Sequence, residues 1–325
     1  MNPLETYFRE LRDIHSTGAA VPETSYYGCL ERLLNEVGKT LKPRVRCVIN
    51  LANRGAGIPD GGLFTPDQLK KDQADPMRGQ PPSRGVIEVK STAADVADIA
   101  RGEQVKRYCG KYYLVLATNY RDFTLVARDS AGEPVSLESY RLAANEQEFW
   151  AAAAHPRTAA ERHGERFTGY LLRAMQHNAP LADPKDLAWF LASYARDALA
   201  RVKGKHDLPA LASLRSALEE SLGMKFRGER GEHFFESTLI QTLFYGVFSA
   251  WVLWAKEHPP IDKAQFNWHE AASYLRVPVL RKLFYEAADP GQLDALNLSE
   301  VLDWATAKLN RVDRAAFFER FVEDH

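Results

Sequence analysis

The feature that most constrains the fold is a change in hydrophobic periodicity near residue 145. Before this point, short apolar runs typical of strands are interspersed with helical patterns. From Glu146 to His325 the pattern is helical almost throughout, without a convincing strand. The change predicts an α/β domain over residues 1–145, with a mixed sheet flanked by helices, and an all-α domain over residues 146–325.

Within the first 145 residues, the pattern after a short N-terminal helix predicts the order helix, strand, strand, strand, helix, strand, strand. The helices are predicted over residues 23–41 and 91–110. The strands are predicted at residues 45–51, near residue 60, and at 85–90, 112–117 and 123–127. Residues 65–83 are polar and rich in proline, and predict a loop between two strands.

Candidate chemistry is concentrated in the strand predicted at 85–90 and in the segment before it. Because side chains alternate along a strand, Glu88 and Lys90 should share one face, while Val89 points into the core. If the segment at Asp60 forms the neighbouring strand, two carboxylates converge. Such a site suits a hard cation such as magnesium, beside which a lysine can orient a water and help deprotonate it.

A third acid is a candidate at the start of the first long helix. Its apolar stripe includes Tyr27 and Leu34, and Glu23 falls on that stripe if the helix begins there, whereas Glu31 lies toward its edge. Glu23 is either a third acid of the site or a favourable charge in the first helical turn. The pattern leaves both interpretations open.

Composition limits the classes of protein to which the chain can belong. The formal net charge is -1, so a nucleic-acid surface would have to be a local cluster of Lys and Arg. Three widely spaced cysteines and an N-terminus without a signal-peptide pattern predict reduced thiols in a cytoplasmic protein. The apolar stretch 239–255 is interpreted as a buried core helix, so no membrane partner is expected.

Three motifs in this order resemble those of the PD-(D/E)xK nuclease superfamily with its additional Gln-xxx-Tyr motif. They are Pro59-Asp60, then Glu88-Val89-Lys90, then Gln104 and Tyr108 one turn apart in a following helix. The resemblance implies a restriction-endonuclease-like α/β fold. It also implies that Gln104 and Tyr108 help to hold the helix and the DNA substrate near the site.

The same resemblance assigns roles to the candidate acids and the lysine. Asp60 and Glu88 would bind magnesium, or manganese in its place, with Val89 counted among the metal ligands. Lys90 would position the attacking water, and Glu23 best matches the acid that the family carries on its first helix.

The helical half also carries a resemblance. The segment 241–248, Gln-Thr-Leu-Phe-Tyr-Gly-Val-Phe, is similar to one between the nuclease and adenine methyltransferase parts of single-chain restriction-modification enzymes of types IIG and ISP. The chain has no Asn/Asp-Pro-Pro-Tyr motif and no glycine-rich S-adenosylmethionine loop. The resemblance implies a helical connector. S-adenosylmethionine, a methyltransferase and a target-recognition region are expected only in a longer polypeptide.

The leading hypothesis is a magnesium-dependent endonuclease that acts on double-stranded DNA in a restriction-modification or related phage-defence enzyme. The alternative is a non-catalytic DNA-binding or assembly module that retains the nuclease fold. A third interpretation makes Asp60 a turn residue and Glu88 and Lys90 a simple ion pair.

Overall fold

A computed structural model describes residues 2–50, 57–68, 81–129, 131–205, 208–259, 264–287 and 290–323. It divides into two compact units, Met1–Ala179 and Pro180–His325. The predicted boundary at 145/146 falls earlier than this division. The loop residues 69–80 lie outside the described residues.

The first unit alternates helices and strands, with a 3₁₀ helix at Thr24–Tyr26 and another at Pro66–Gln68. Its other elements are α1 (Pro3–His15), α2 (Tyr27–Gly38), β1 (Arg46–Ile49), β2 (Gly61–Phe64), β3 (Val86–Val89), α3 (Val96–Arg101), α4 (Glu103–Tyr112), β4 (Val115–Thr118), β5 (Asp122–Arg128), β6 (Pro134–Arg141), α5 (Glu146–Ala153) and α6 (Pro156–Met175).

The strands form one six-stranded sheet in the order β1-β2-β3-β4-β5-β6. Neighbours are antiparallel except β3 and β4, which are parallel and are joined through α3 and α4. The predicted mixed sheet flanked by helices is confirmed. Strand β6 was not predicted, because most of its residues are exposed or half-buried and carry no clear apolar alternation.

Side chains alternate across the sheet and contribute to two hydrophobic clusters. Ile87 and Val89 of β3 pack in the cluster that contains α1, α2 and α6. Val86 packs on the opposite face, in the cluster that contains Val105 and Tyr108 of α4. The alternation therefore places Glu88 on the face of the sheet that α4 covers.

Gly85 sets the entry of β3 beside β4. Its φ of +100°, in the region that favours glycine, comes with a close approach to the neighbouring strand. A Cβ at this position would lie 2.6 Å from the carbonyl oxygen of Leu114, which accepts a 3.0 Å hydrogen bond from the amide of Val86. A side chain at residue 85 would therefore push the two strands apart.

Two helix boundaries in the first unit differ from prediction. Helix α2 begins at Tyr27, so Glu23 precedes the 3₁₀ turn and does not belong to the helical stripe. Residues 112–114, predicted as the start of a strand, end α4 and lead into β4, with Tyr113 at a φ of +66°. An apolar run shared by a helix end and a strand gives no periodic signal at the junction.

The position of the unit boundary follows from packing. Phe149 of α5 and Phe167 and Tyr170 of α6 belong to the same hydrophobic cluster as Ile87 and Val89 of the sheet. These helices therefore complete the core of the first unit. The helical periodicity of α5 and α6 does not tell whether they pack on the sheet of the first unit or on the helices of the second.

The second unit is helical over its described residues. Its α-helices are α7 (Pro184–Val202), α8 (Pro209–Leu222), α9 (Gly228–Glu257), α10 (Ala271–Tyr274), α11 (Pro278–Ala287), α12 (Pro290–Ala295), α13 (Leu298–Leu309) and α14 (Arg314–Glu323). A 3₁₀ helix spans Trp268–Glu270, and a single β-bridge joins Leu181 and Val312.

Helix α9 is long and apolar enough to cross a membrane by length and composition alone. In the structure, 56% of its most apolar window is buried. Its residues Leu243, Val247 and Trp251 are part of the core of the second unit. Since a buried core helix passes the same test, the property is weak support for a membrane span.

Candidate active site

The register of two strands brings the predicted acids together. Gly61 of β2 pairs with Ile87 of β3, and Gly62 pairs with Val86. The same antiparallel register, continued by one residue, sets Asp60 opposite Glu88. Directly opposed residues on antiparallel strands project to the same face with neighbouring Cβ atoms.

Three elements of the fold hold Asp60 in place. Its main-chain carbonyl accepts a 2.7 Å hydrogen bond from the amide of Asn50, next to β1. Its carboxylate Oδ2 accepts a 2.7 Å bond from the amide of Val89, and Oδ1 accepts a 2.7 Å bond from the hydroxyl of Tyr27. The Asp60 carboxylate thus accepts a hydrogen bond from a main-chain amide of β3. Asp60 therefore links neighbouring elements of the fold, and the interpretation of Asp60 as a simple turn residue does not account for this bond.

Glu88 is a buried acid whose hydrogen bonding is incomplete. Its side chain is 1% exposed, and Oε1 accepts a 2.5 Å bond from Lys90 Nζ. Oε2 is buried and has no hydrogen-bond partner among the described residues. Burial raises the pKa of Glu88 to about 7, against the lowering effect of the bond to Lys90, and the charges of Asp60 and Glu23 add to the rise.

Lys90 lies on the same side of the strand as Glu88, with 36% of its side chain exposed. Its Nζ also donates a 3.1 Å bond to the carbonyl oxygen of Val89. Partial burial by itself lowers the pKa of Lys90. The bond to Glu88 and the negative charges of Glu88, Glu23 and Asp60 outweigh that effect, so the net shift is upward.

Glu23 reaches the site from the segment before α2. Its Oε1 lies 3.4 Å from the hydroxyl of Tyr27, and its main-chain carbonyl accepts a hydrogen bond from the hydroxyl of Tyr120. Glu31 instead accepts a 3.3 Å bond from the amide of Ile49 on β1. Of the two candidate acids, Glu23 is the one near Asp60 and Glu88.

Gln104 and Tyr108 lie on α4 and bond to each other. The amide Nε2 of Gln104 donates a 2.9 Å bond to the hydroxyl oxygen of Tyr108, which is fully buried. Burial chiefly raises the pKa of Tyr108, and the charges of Glu88 and Asp60 contribute to the rise.

Tyr27 is a site residue that sequence reasoning missed. Its position on the apolar stripe of α2 predicts a core side chain, and its exposed fraction is 8%. The pKa of Tyr27 is raised, first by burial and then by the bond to Asp60. No sequence signal distinguishes its hydroxyl from that of an ordinary core tyrosine.

The donor set suits a hard cation with few protein ligands. The described residues contain no group of three or more His, Cys, Asp or Glu side chains that could hold a metal ion. Asp60 and Glu88 offer two carboxylates, and Val89 offers a carbonyl oxygen. Magnesium is usually held by one or two carboxylates together with water. The buried Oε2 of Glu88, for which the described ranges supply no donor, fits such an ion.

Comparisons with known proteins add little. No family model matches the chain, and a search of curated proteins finds no match. A solved structure, the cryoEM structure of a DrdV-DNA complex, aligns with 99% of this chain at 14% identity and a TM-score of 0.31. The aligned region covers 28% of that chain. A likeness at this TM-score establishes neither the fold nor the function of this chain.

Proposed function

We propose that the first unit is a magnesium-dependent endonuclease domain that hydrolyses phosphodiester bonds of double-stranded DNA, with manganese as an alternative ion. The observation that carries this proposal is the buried Oε2 of Glu88, which has no donor in the described part of the chain; Glu88 itself lies opposite Asp60 and pairs with Lys90. A buried carboxylate oxygen without a donor is costly unless it binds a proton or a cation.

The residues divide the work of phosphodiester hydrolysis. Asp60, Glu88 and the Val89 carbonyl would hold the ion, and Glu23 would add negative charge from the neighbouring segment. A bound magnesium ion supplies Lewis-acid stabilisation of charge on phosphoryl oxygens and lowers the pKa of a coordinated water. Lys90 Nζ, a partly exposed ammonium, would orient the attacking water as a hydrogen-bond donor, and its positive charge would favour the ionised water while the proton leaves to solvent.

Gln104 and Tyr108 complete the proposed site on the α4 side. Their mutual hydrogen bond fixes the Tyr108 hydroxyl, which lies 3.4 Å from the place that a Cβ on Gly57 would occupy. The Tyr108 hydroxyl therefore lies against the loop that leads to Asp60. In this way the two residues would help to keep the helix and the substrate near the acids.

The wider context is also a proposal. We place the chain within a restriction-modification or phage-defence enzyme of the cytoplasm, with a methyltransferase, a target-recognition region and bound S-adenosylmethionine in a longer polypeptide. The similarity of segment 241–248 to type IIG and ISP connectors supports this, and the segment lies within α9. The PD-(D/E)xK motifs support the nuclease part.

The test is cleavage of double-stranded DNA with Mg²⁺ or Mn²⁺ by Asp60→Asn and Lys90→Ala. We expect the rate to fall on the order of 100- to 10,000-fold, because each variant removes a group that acts on the reacting water or on the ion. Glu31→Gln is the matched control, since Glu31 bonds β1 instead. Cleavage at the wild-type rate by Asp60→Asn or Lys90→Ala would refute the assignment.

A second candidate is a non-catalytic DNA-binding or assembly module. The observation that favours it is the engagement by Lys90 Nζ of both Glu88 Oε1 and the Val89 carbonyl, which neutralises the buried acid without a metal ion. Titration with Mn²⁺ in the presence of DNA separates the two candidates. A protein that binds no ion at Asp60 and Glu88 belongs to the second class.

A further inference from the structure

Tyr27 connects the start of α2 to the acid that precedes β2. Its hydroxyl donates to Asp60 Oδ1 at 2.7 Å and lies 3.4 Å from Glu23 Oε1. A phenol has one proton to donate. The shorter contact therefore identifies Asp60 as its main acceptor, and Glu23 is the more distant contact of the same hydroxyl.

The two donors on Asp60 come from different elements and meet different oxygens. Val89 of β3 holds Oδ2 through its main-chain amide, while Tyr27 holds Oδ1. Bonds at both oxygens fix the rotation of the carboxylate, and each oxygen retains a further acceptor direction. Without the phenol, the carboxylate would be held at one oxygen only and could turn away from Glu88.

The neighbouring tyrosine has a different role. Tyr26 is 2% exposed, and its hydroxyl lies 3.3 Å from His15 Nδ1. Its ring packs edge-on against Tyr120, with the ring centroids 5.5 Å apart. Two adjacent buried tyrosines thus send their hydroxyls to different places, and only Tyr27 meets an acid of the site.

We propose that Tyr27 is a positioning residue that orients the Asp60 carboxylate for binding of a divalent cation between Asp60 and Glu88. The inference rests on the proposed function, because it assigns a role toward the same ion. Tyr27 would act through the Asp60 carboxylate, to which its hydroxyl donates. Its effect is on cation affinity, which is measurable without any cleavage assay.

The experiment measures the Mn²⁺ affinity of the full chain by isothermal titration calorimetry for wild type, Tyr27→Phe, Tyr26→Phe and Asp60→Asn. Partners that orient metal ligands typically contribute about 10- to 100-fold in affinity. We expect Tyr27→Phe to weaken binding by about that factor, while Tyr26→Phe stays within about twofold of wild type. Asp60→Asn should bind more weakly than either.

Cleavage measured against Mn²⁺ concentration gives a second readout. With Tyr27→Phe, the rate at saturating Mn²⁺ should return close to the wild-type value, because the lost hydroxyl acts on affinity. Urea unfolding curves of Tyr26→Phe and Tyr27→Phe identify the conditions under which both variants are folded, and cleavage is measured under those conditions. A general loss of structure would lower the saturating rate as well.

The outcomes separate the two claims. Wild-type affinity in Tyr27→Phe, together with weak binding in Asp60→Asn, overturns the role of Tyr27 and leaves the proposed function standing. Absence of Mn²⁺ binding in the wild type, or unchanged binding in Asp60→Asn, overturns the proposed cation site and the role of Tyr27 with it. An equal loss of affinity in Tyr26→Phe and Tyr27→Phe also overturns the positioning role.

Discussion

Two ion pairs in the first unit each contain a buried glutamate but differ in the exposure of the basic partner. At the contact between β6 and α6, Glu138 Oε2 accepts a 2.9 Å bond from Arg173 Nε, and the two side chains are 6% and 1% exposed. At the end of β3, Glu88 is just as buried, but Lys90 is 36% exposed and one oxygen of Glu88 has no donor from any residue that the structure describes.

The difference separates a pair that is shielded from water on both sides from one whose basic member remains accessible to water. Both members of the Glu138–Arg173 pair are buried, so the loss of either charge should be costly. Because Lys90 is partly exposed, its ammonium group can exchange the hydrogen bond to Glu88 for one to solvent or substrate at a modest cost in free energy. The same substitution made in both pairs should therefore have different consequences.

The largest effect on stability is expected at the first pair. Glu138→Gln removes the negative charge that meets the buried guanidinium of Arg173, which should lower the free energy of unfolding by about 3–5 kcal/mol. Urea denaturation followed by circular dichroism measures the change. The double variant Glu138→Leu with Arg173→Met removes both charges and should recover most of the loss. A single variant as stable as the wild type would remove the contrast.

A smaller effect on stability is expected at the second pair. In metal-free protein, Glu88→Gln should change the free energy of unfolding by about 1 kcal/mol or less. Removal of a buried charge offsets the cost of the new amide, and Lys90 remains accessible to water. Cleavage should nevertheless be lost. If Glu88→Gln destabilises the protein as much as Glu138→Gln does, the Glu88–Lys90 pair is structural.

A third effect, expressed only on acidification, is a pH dependence near the β6–α6 contact. Burial, followed by the positive charges of Arg162 and Arg166, lowers the pKa of His163 on α6 to about 4, and its Nδ1 lies 3.2 Å from the Tyr140 hydroxyl. Because the folded pKa is below the ordinary value of 6.5, the stabilising contribution is complete above that value. It is lost as the pH falls from about 6.5 toward 4.

Thermal unfolding across this pH range checks the prediction. His163→Gln should flatten that part of the stability profile. His155→Gln, at an exposed histidine at the start of α6, is the control and should leave the profile unchanged. A wild-type profile that is flat between pH 6.5 and 4 would contradict the prediction.

The parts of the site that depend on local geometry could be predicted from sequence. Alternation along one strand is enough to place Glu88 and Lys90 on a common face and Val89 in the core. The spacing of one helical turn is enough to join Gln104 to Tyr108. Both arrangements lie within a single element, where period alone decides which side chains meet.

The parts that depend on tertiary packing could not be predicted. The approach of Asp60 to Glu88 depends on the register between β2 and β3. From the sequence, the two carboxylates were expected to converge only if the segment at Asp60 formed the neighbouring strand. The bond from Tyr27 to Asp60 joins residues 33 positions apart. Strand β6 and the division between the units at 179/180 depend on which helices and strands pack against each other. The hydrophobic periodicity of a segment does not tell which other segment it packs against.

The ladder between β2 and β3 has a consequence for finding related chains. Asp60 meets Glu88 through the pairing of Gly61 with Ile87, so the number of residues in the connecting segment does not decide whether the acids meet. Insertions or deletions in that segment can be tolerated while the pairing is kept. A search pattern for homologues should therefore allow a variable gap between the two motifs, and require a tyrosine at the start of the preceding helix.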